Sequence, residues 1–146
     1  MNVLDKIKSK LPNIETKTLV NSLGMMFTYA DEQKIMAEMD VDERTCQSYG
    51  ILSGGANMAF AETLAGVGSV YHIDEDEQPC GIQVSANHMR MVPVGERVYA
   101  EATIVHKGRT THVWNVDIKT SEGKMVTTAR VVNLIIKRKK RDAILR

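Results

Sequence analysis

Cysteine is scarce in this chain, which has two, Cys46 and Cys80, in 146 residues. Two cysteines do not make a disulfide framework in a chain of this length, so a reduced, cytoplasmic environment is the simpler expectation. A continuous apolar run is also missing near the start, where Asp5, Lys6 and Lys8 interrupt the first turns. The sequence therefore does not predict a signal peptide.

Recognisable metal-ligand spacing is missing too. His72, His106 and His112 do not fall at the intervals of zinc motifs, so we expect neither a metal nor a cofactor. A nucleophilic role for Cys46 would need a base partner, and the sequence assigns none. The chain also has no internal repeat, low-complexity segment or linker, which favours one domain over residues 1–146.

Charge is unevenly distributed, although the net charge is only +1. Residues 137–141 supply five of the 19 basic residues, and the remaining 14 face 18 acidic ones. We therefore expect a mildly acidic body and a basic C-terminal tail at 137–146. Such a run is usually solvated, but it could contact phosphates of a nucleotide, and nucleic acid only weakly.

Hydrophobic periodicity predicts an α+β fold. A helical segment at about 2–23 comes first, and a long apolar helix over 56–73 separates a strand hairpin from the remaining strands. The predicted strands cover 25–30, 33–41, 80–91, 98–107, 110–120 and 125–136, with an acidic loop at 74–79. Five or six curved strands would wrap the helix, and the edges of so small a sheet predict dimerisation.

The long helix carries an unusual carboxylate. Glu62 is the one formally charged residue between Arg44 and Asp74. Because the helix is apolar nearly all round, we expect it to be buried on every side, where an unpaired carboxylate is costly. The helix opens at Gly54 and Gly55, whose free N–H groups favour an anion or a developing oxyanion. Glu62 is either a structural carboxylate or the group that attacks a carbonyl or activates water.

These residues resemble a known family, the hotdog-fold acyl-CoA thioesterases, and within it the aryl-CoA branch. The resemblance covers roughly residues 23–136. It rests on the motifs Gln47-x-x-Gly50-x-x-Ser53-Gly54-Gly55, Ala61-Glu62-Thr63, Ala86-Asn87-His88-Met89-Arg90, Gly108-Arg109-Thr110-Thr111-His112-Val113-Trp114, Asp117, Glu122-Gly123-Lys124 and Ala129-Arg130. It implies a hotdog fold and hydrolysis of an acyl-CoA thioester, with an aromatic acyl group expected.

The resemblance also implies how the catalytic groups are shared. Glu62 lies eight residues after Gly54, about 12 Å along a helix, so the two cannot meet one carbonyl within one chain. In the family, Gln47 and Gly54 come from one subunit and Glu62 from the other, in a homodimer that pairs into a tetramer. Ser53 departs from the pattern, since the family usually has histidine before the two glycines.

Substrate-binding roles follow from the resemblance as well. Tyr49 and Gly55 are assigned to the acyl-CoA substrate. His88 and Arg90 are expected on one strand face near the CoA phosphates, which suit arginine's paired hydrogen bonds. A hairpin tip is expected to add further phosphate or pantetheine contacts, from Arg109, Thr110 and Thr111.

Two other functions compete with the thioesterase. Ser53 and the basic tail favour a non-catalytic acyl-CoA-binding protein with the same fold. A hotdog hydratase or dehydratase is disfavoured, because the sequence lacks a His/Asp pair at the motif positions of that family. Trp114 shares one strand face with Val116 and Ile118 and is expected in the core.

Overall fold

A six-stranded antiparallel sheet and one long helix form most of the structure. The computed structural model describes residues 2–138, so 139–146, most of the predicted tail, lie outside the described residues. The elements in chain order are α1 (Val3–Lys10), α2 (Leu19–Leu23), β1 (Met26–Ala30), β2 (Lys34–Asp40), α3 (Gly54–Val70), β3 (Glu77–His88), β4 (Arg97–Lys107), β5 (Thr111–Lys119) and β6 (Met125–Lys137). The predicted α+β architecture is confirmed.

The sheet runs in the order β1-β2-β4-β5-β6-β3. Its inner face is built by alternation along each strand, which places every second side chain against the helix. In β5 the side chains of Trp114, Val116 and Ile118 are fully buried, which confirms the prediction that Trp114 belongs to the core. Burying such a large apolar side chain stabilises a fold by about 1.5–3 kcal/mol.

Helix α3 packs one face on this sheet, through Phe60, Ala61, Leu64 and Ala65, all with 0% exposure. Gly68 lies directly under the core tryptophan, and a β-carbon built there would come within 2.6 Å of the Trp114 ring. A side chain at position 68 would therefore push the helix away from the sheet. Within residues 2–138, no helix combines the length and the apolar content needed to cross a bilayer.

The prediction that α3 is buried on every side is wrong for the single chain. Gly55 and Glu62 are exposed, and Met58, Thr63 and Gly66 are only half-buried. One sheet covers one side of a helix, so the apolar residues of the other side stay open to solvent. The Glu62 carboxylate is therefore solvated in the isolated subunit.

The boundaries of β3 also differ from the prediction. The strand begins at Glu77, so Pro79 lies within it and the acidic loop is shorter. The reason is the length of β6, whose last residue, Lys137, pairs with Glu77. Lys137 thus belongs to the sheet, and its Nζ lies 3.1 Å from the Asp76 carboxylate. A proline is tolerated here because β3 is an edge strand of the described sheet.

Candidate active site

The loop before α3 presents the start of the helix to solvent. Ser53 occupies the N-cap position, where its backbone N–H donates to the Thr45 carbonyl at 2.8 Å. Within the described chain its side chain makes no capping hydrogen bond. The N–H groups of Gly54 and Gly55 have no acceptor within the helix, as in any first turn. This helix end is therefore suited to a negatively charged oxygen, and its role in binding one stays a prediction.

Gln47 is held in a turn of that loop. Its backbone N–H donates to Ile51 at 2.8 Å, and its carbonyl accepts from Gly50 at 3.0 Å. Its side-chain oxygen accepts the backbone N–H of Tyr49. Because the amide oxygen is occupied, the Nε2 amide remains as the donor that Gln47 can offer. The Tyr49 side chain, 89% exposed, projects from the same turn.

His88 approaches the helix start from the end of β3. A β-carbon built on Gly54 would lie 2.8 Å from its Nε2 atom. On the other side of the ring, Nδ1 lies 2.8 Å from the Thr127 hydroxyl. That hydroxyl accepts a hydrogen bond from the buried Asn57 amide at 2.9 Å. This hydrogen-bonded chain orients the His88 ring toward the start of the helix, and its expected contact with the CoA phosphates stays a prediction.

Glu62 lies elsewhere, beside the middle of β3. A β-carbon built on Gly81 would come within 2.5 Å of its Oε2 atom. The strand register shifts between Gly81 and Gln83, so Ile82 is an extra residue in this edge strand. Gly54 and Glu62 lie eight residues apart on the one helix α3, in agreement with the predicted separation of about 12 Å along the helix.

A groove with a volume of 1230 Å³ runs along the open face of α3. One wall is the segment 9–20 between the two short helices, and the other includes residues 73–79. Its floor is the helix itself, with Glu62, Thr63, Gly66, Val67 and Val70. The groove is therefore lined by the Glu62 carboxylate together with apolar and charged side chains.

The predicted CoA-binding residues are not brought together. Arg109 and Thr110 lie at the tip of the β4–β5 hairpin, which closes with a Gly108 N–H to Thr111 carbonyl bond of 2.8 Å. Thr111 pairs with Leu134 on β6, as does Cys80 on β3, which places the hairpin at the sheet end nearer Glu62.

The opposite end of the sheet carries the other predicted CoA-binding residues, His88 and Arg90. Ile118 and His88 both pair with Thr127 of β6. Seven residues of β5 separate this level from Thr111, a distance of about 24 Å. Arg90 is exposed and follows the end of β3. In one chain, Glu62 and the hairpin tip thus lie apart from Gln47, Gly54 and His88.

His112, which is buried, and His72, which is half-buried, belong to a separate cluster at the end of α3. Nδ1 of His112 and Nε1 of Trp114 each lie 2.9 Å from the Ser69 hydroxyl, and Nδ2 of Asn133 lies 3.1 Å from it. His72 packs edge-on against His112 with ring centroids 5.6 Å apart. Burial lowers the pKa of both histidines below the ordinary value. Because Ser69 lies on α3 and its three partners lie on β5 and β6, these contacts join the helix to the sheet.

Sequence reasoning missed three residues of the site: Asn57, Thr127 and Gly81. Nothing local distinguishes Asn57 and Thr127, because their role depends on contacts between distant elements. Gly81 did carry a signal, since an isolated glycine inside a strand pattern indicates a bulge or a close approach.

Known proteins are similar to this chain in sequence. A family model described as the thioesterase superfamily matches residues 49–127. The proofreading thioesterase EntH of Klebsiella pneumoniae is 33% identical over 119 residues, which are 82% of this chain and 86% of that protein.

Solved structures agree. A thioesterase from Haemophilus influenzae superposes with a TM-score of 0.81 at 35% identity, covering 87% of this chain and 88% of its own. A variant thioesterase from Pseudomonas aeruginosa gives a TM-score of 0.83 at 34% identity, covering 89% and 94%. The hotdog fold is thereby confirmed, as is the enzyme class at the level of thioester hydrolase. The chain belongs to the thioesterase superfamily.

Proposed function

We propose that this protein hydrolyses an acyl-CoA thioester in the cytoplasm, without metal or cofactor, and that the acyl group is aromatic. The observation that carries the proposal is the combination on one helix of a start without a side-chain cap and a carboxylate that lines a groove of mixed polar and apolar residues. The first can hold the thioester oxygen, the second can direct attack on its carbon, and the groove can hold the acyl chain.

The oxygen of the thioester carbonyl is held by hydrogen-bond donors at the start of α3. The Gly54 N–H points outward there and carries the positive end of the helix dipole. The free Nε2 amide of Gln47 is the second donor, because its oxygen is occupied by Tyr49. Ser53 adds a hydroxyl where the family usually has imidazole.

His88 supplies a further donor. The Thr127 hydroxyl accepts from Asn57 and can donate its own proton to Nδ1, an arrangement in which Nε2 is the nitrogen that carries the ring proton. This is the nitrogen that faces Gly54. His88 would thus supply a hydrogen-bond donor of the kind that the family usually has at position 53.

Glu62 performs the attack in one of two ways. As general base, it takes a proton from a water whose oxygen then adds to the carbonyl carbon. As nucleophile, it forms an anhydride with the acyl group, which water then cleaves. In both, the carbon–sulfur bond breaks, the CoA thiolate leaves and takes up a proton, and the free acid remains.

The complete site needs two subunits. Glu62 lies about 12 Å along α3 from Gly54, too far for one carbonyl. In the described chain, the twelve-residue edge strand β3 has β6 on one side only, and Ile82 on it is 58% exposed. Pairing of two such strands would bring Gln47 and Gly54 of one subunit toward Glu62 of the other, and two dimers would form the tetramer.

The groove supports an acyl substrate. Leu11, Ile14, Val67 and Val70 give part of its lining an apolar character against which an acyl group could pack, while the rest of the lining is polar or charged. The exposed donors Arg109 and Thr110, with Thr111, lie at the same sheet end as Glu62 and are proposed to bind the CoA portion, and Arg90, at the opposite sheet end, would join them from the other subunit.

The experiment is a DTNB assay of CoA release over a panel of aromatic and aliphatic acyl-CoA thioesters. Glu62→Gln keeps the shape of the side chain and removes its basicity, so turnover should fall by about two orders of magnitude or more. Glu101→Gln, a carboxylate on the outer face of the sheet, should leave it unchanged. Near-normal turnover of Glu62→Gln would contradict the proposed mechanism.

A binding protein is the alternative that Ser53 favours. Wild-type protein that is inert across the panel yet binds acyl-CoA tightly would establish that function instead. Turnover of aliphatic thioesters alone would retain the reaction and remove the aromatic substrate.

A further inference from the structure

The carboxylate of Glu62 occupies the space that a side chain at Gly81 would need. A β-carbon built on Gly81 would lie 2.5 Å from Oε2, 3.1 Å from Cδ and 3.4 Å from Cγ of Glu62. These are the three nearest atoms, and all belong to the glutamate. The end of the Glu62 side chain therefore rests directly on the bare backbone of β3.

That point of β3 is held at a fixed distance from α3. Gly81 pairs with Asn133 of β6, immediately before the extra residue Ile82. The Asn133 side-chain amide donates to the Ala65 carbonyl at 3.2 Å and to the Ser69 hydroxyl at 3.1 Å, both on α3. Asn133 thus ties β6, the partner of β3, to α3, and the flexible end of the Glu62 side chain is the group that moves most easily if position 81 gains a side chain.

Backbone conformation does not explain this glycine. The glycines with positive φ in the described chain are Gly24, Gly50, Gly95 and Gly123, and Gly81 is not among them. A glycine inside a strand weakens that strand, because it has no side chain to pack and loses more conformational freedom on folding. The effect of the glycine here is to leave space on β3 for the Glu62 carboxylate.

We propose that Gly81 is a positioning residue, which seats the Glu62 carboxylate through the space left on β3. The inference rests on the proposed role of Glu62 in attack. A side chain added at position 81 should therefore lower turnover but leave the stability of the fold nearly unchanged. The atoms that it would displace are the end of the flexible Glu62 side chain.

The test is Gly81→Ala, assayed on one acyl-CoA that the wild type hydrolyses. A displacement of the carboxylate by about 1 Å is expected to lower kcat about 10- to 100-fold. KM and the melting temperature should stay close to the wild-type values. Ser85→Ala is the matched control, because Ser85 lies on the same strand but points to the opposite face from Val84 and Ala86, which pack on the core.

A double-mutant cycle separates positioning from a general effect on the sheet. In a Glu62→Gln background, Gly81→Ala should lower kcat by less than about twofold, because the attacking carboxylate is already absent. Multiplication of the two separate losses would overturn the proposal. So would a Gly81→Ala variant that keeps wild-type kcat, or one that unfolds or changes its sedimentation, since glycine would then serve only the fold.

The outcomes also distinguish this inference from the proposed function. Wild-type turnover by Glu62→Gln, or no turnover by the wild type, refutes the mechanism on which the inference rests. Loss of turnover in Glu62→Gln together with full activity in Gly81→Ala refutes the role of Gly81 alone.

Discussion

The imidazole of His88 lies so close to Gly54 that a β-carbon on that glycine would come within 2.8 Å of its Nε2 atom. A histidine thus reaches the start of α3 from the end of a strand, whereas Ser53 stands at the position where the family usually places one. The Thr127 hydroxyl, 2.8 Å from Nδ1, fixes the orientation of the ring.

Replacing His88 tests this donor. His88→Phe keeps a flat ring and removes Nε2, so kcat on an acyl-CoA should fall about 10²- to 10³-fold, as for loss of one oxyanion donor. Thr127→Val removes the hydroxyl that contacts both the ring and the buried Asn57 amide but keeps Nε2, so it should cause a smaller loss of kcat and some loss of stability. Steady-state kinetics with folded protein measures both, and an unchanged kcat for His88→Phe would remove His88 from the reaction.

Restoring the family residue at position 53 should raise activity. Ser53→His adds an imidazole beside the Gly54 N–H, and we expect at least about a tenfold gain in turnover at saturating substrate. The gain should be larger in the His88→Phe background, where a donor is missing. If Ser53→His leaves both backgrounds unchanged, the serine does not limit the rate.

The shared site can be tested by mixing two defective subunits. Glu62→Gln and His88→Phe each damage a different half, so a mixed dimer contains one intact site and one doubly defective site. Dissociating and reassociating equal amounts should restore about a quarter of wild-type activity. No recovery, or sedimentation of the wild type as a monomer at micromolar concentration, would contradict a site built from two chains.

Stability should depend on pH through His112, which is 2% exposed. Burial, then the charges of His72 and Lys107, hold its pKa below the ordinary value, while His106 acts in the same direction and Glu77 opposes them. The unfolded chain therefore binds more protons than the folded one. The contribution of His112 to the free energy of unfolding is fully present above about pH 6.5 and is lost as pH falls toward the lowered pKa.

The hydrogen bonds around His112 also disfavour its protonated form, and the variant His112→Phe tests this. The Ser69 hydroxyl already faces the N–H donors of Trp114 and Asn133, so a protonated Nδ1 would add a third donor. Melting temperatures of the wild type should fall between about pH 7 and pH 5. His112→Phe should start lower and change less over this range, and an equal slope in both proteins would refute the assignment.

Local patterns in the sequence were enough for the six strands, the central helix and the candidates Gln47, Gly54 and Glu62. Strand alternation and helical periodicity depend on neighbouring residues, and the motif residues lie within one short stretch of chain. The start of β3 was misplaced because its extension to Glu77 depends on pairing with β6, which is distant in sequence.

The sequence by itself thus determined the order of elements and the family motif. Only the tertiary structure decided that one side of α3 stays open, that the His88 ring rests against Gly54, and that Gly81 leaves space for the Glu62 carboxylate. The physical reason is that burial and side-chain contact depend on which elements the sheet brings together. Residues that are 34 and 19 positions apart along the chain meet only because β3 returns alongside the helix.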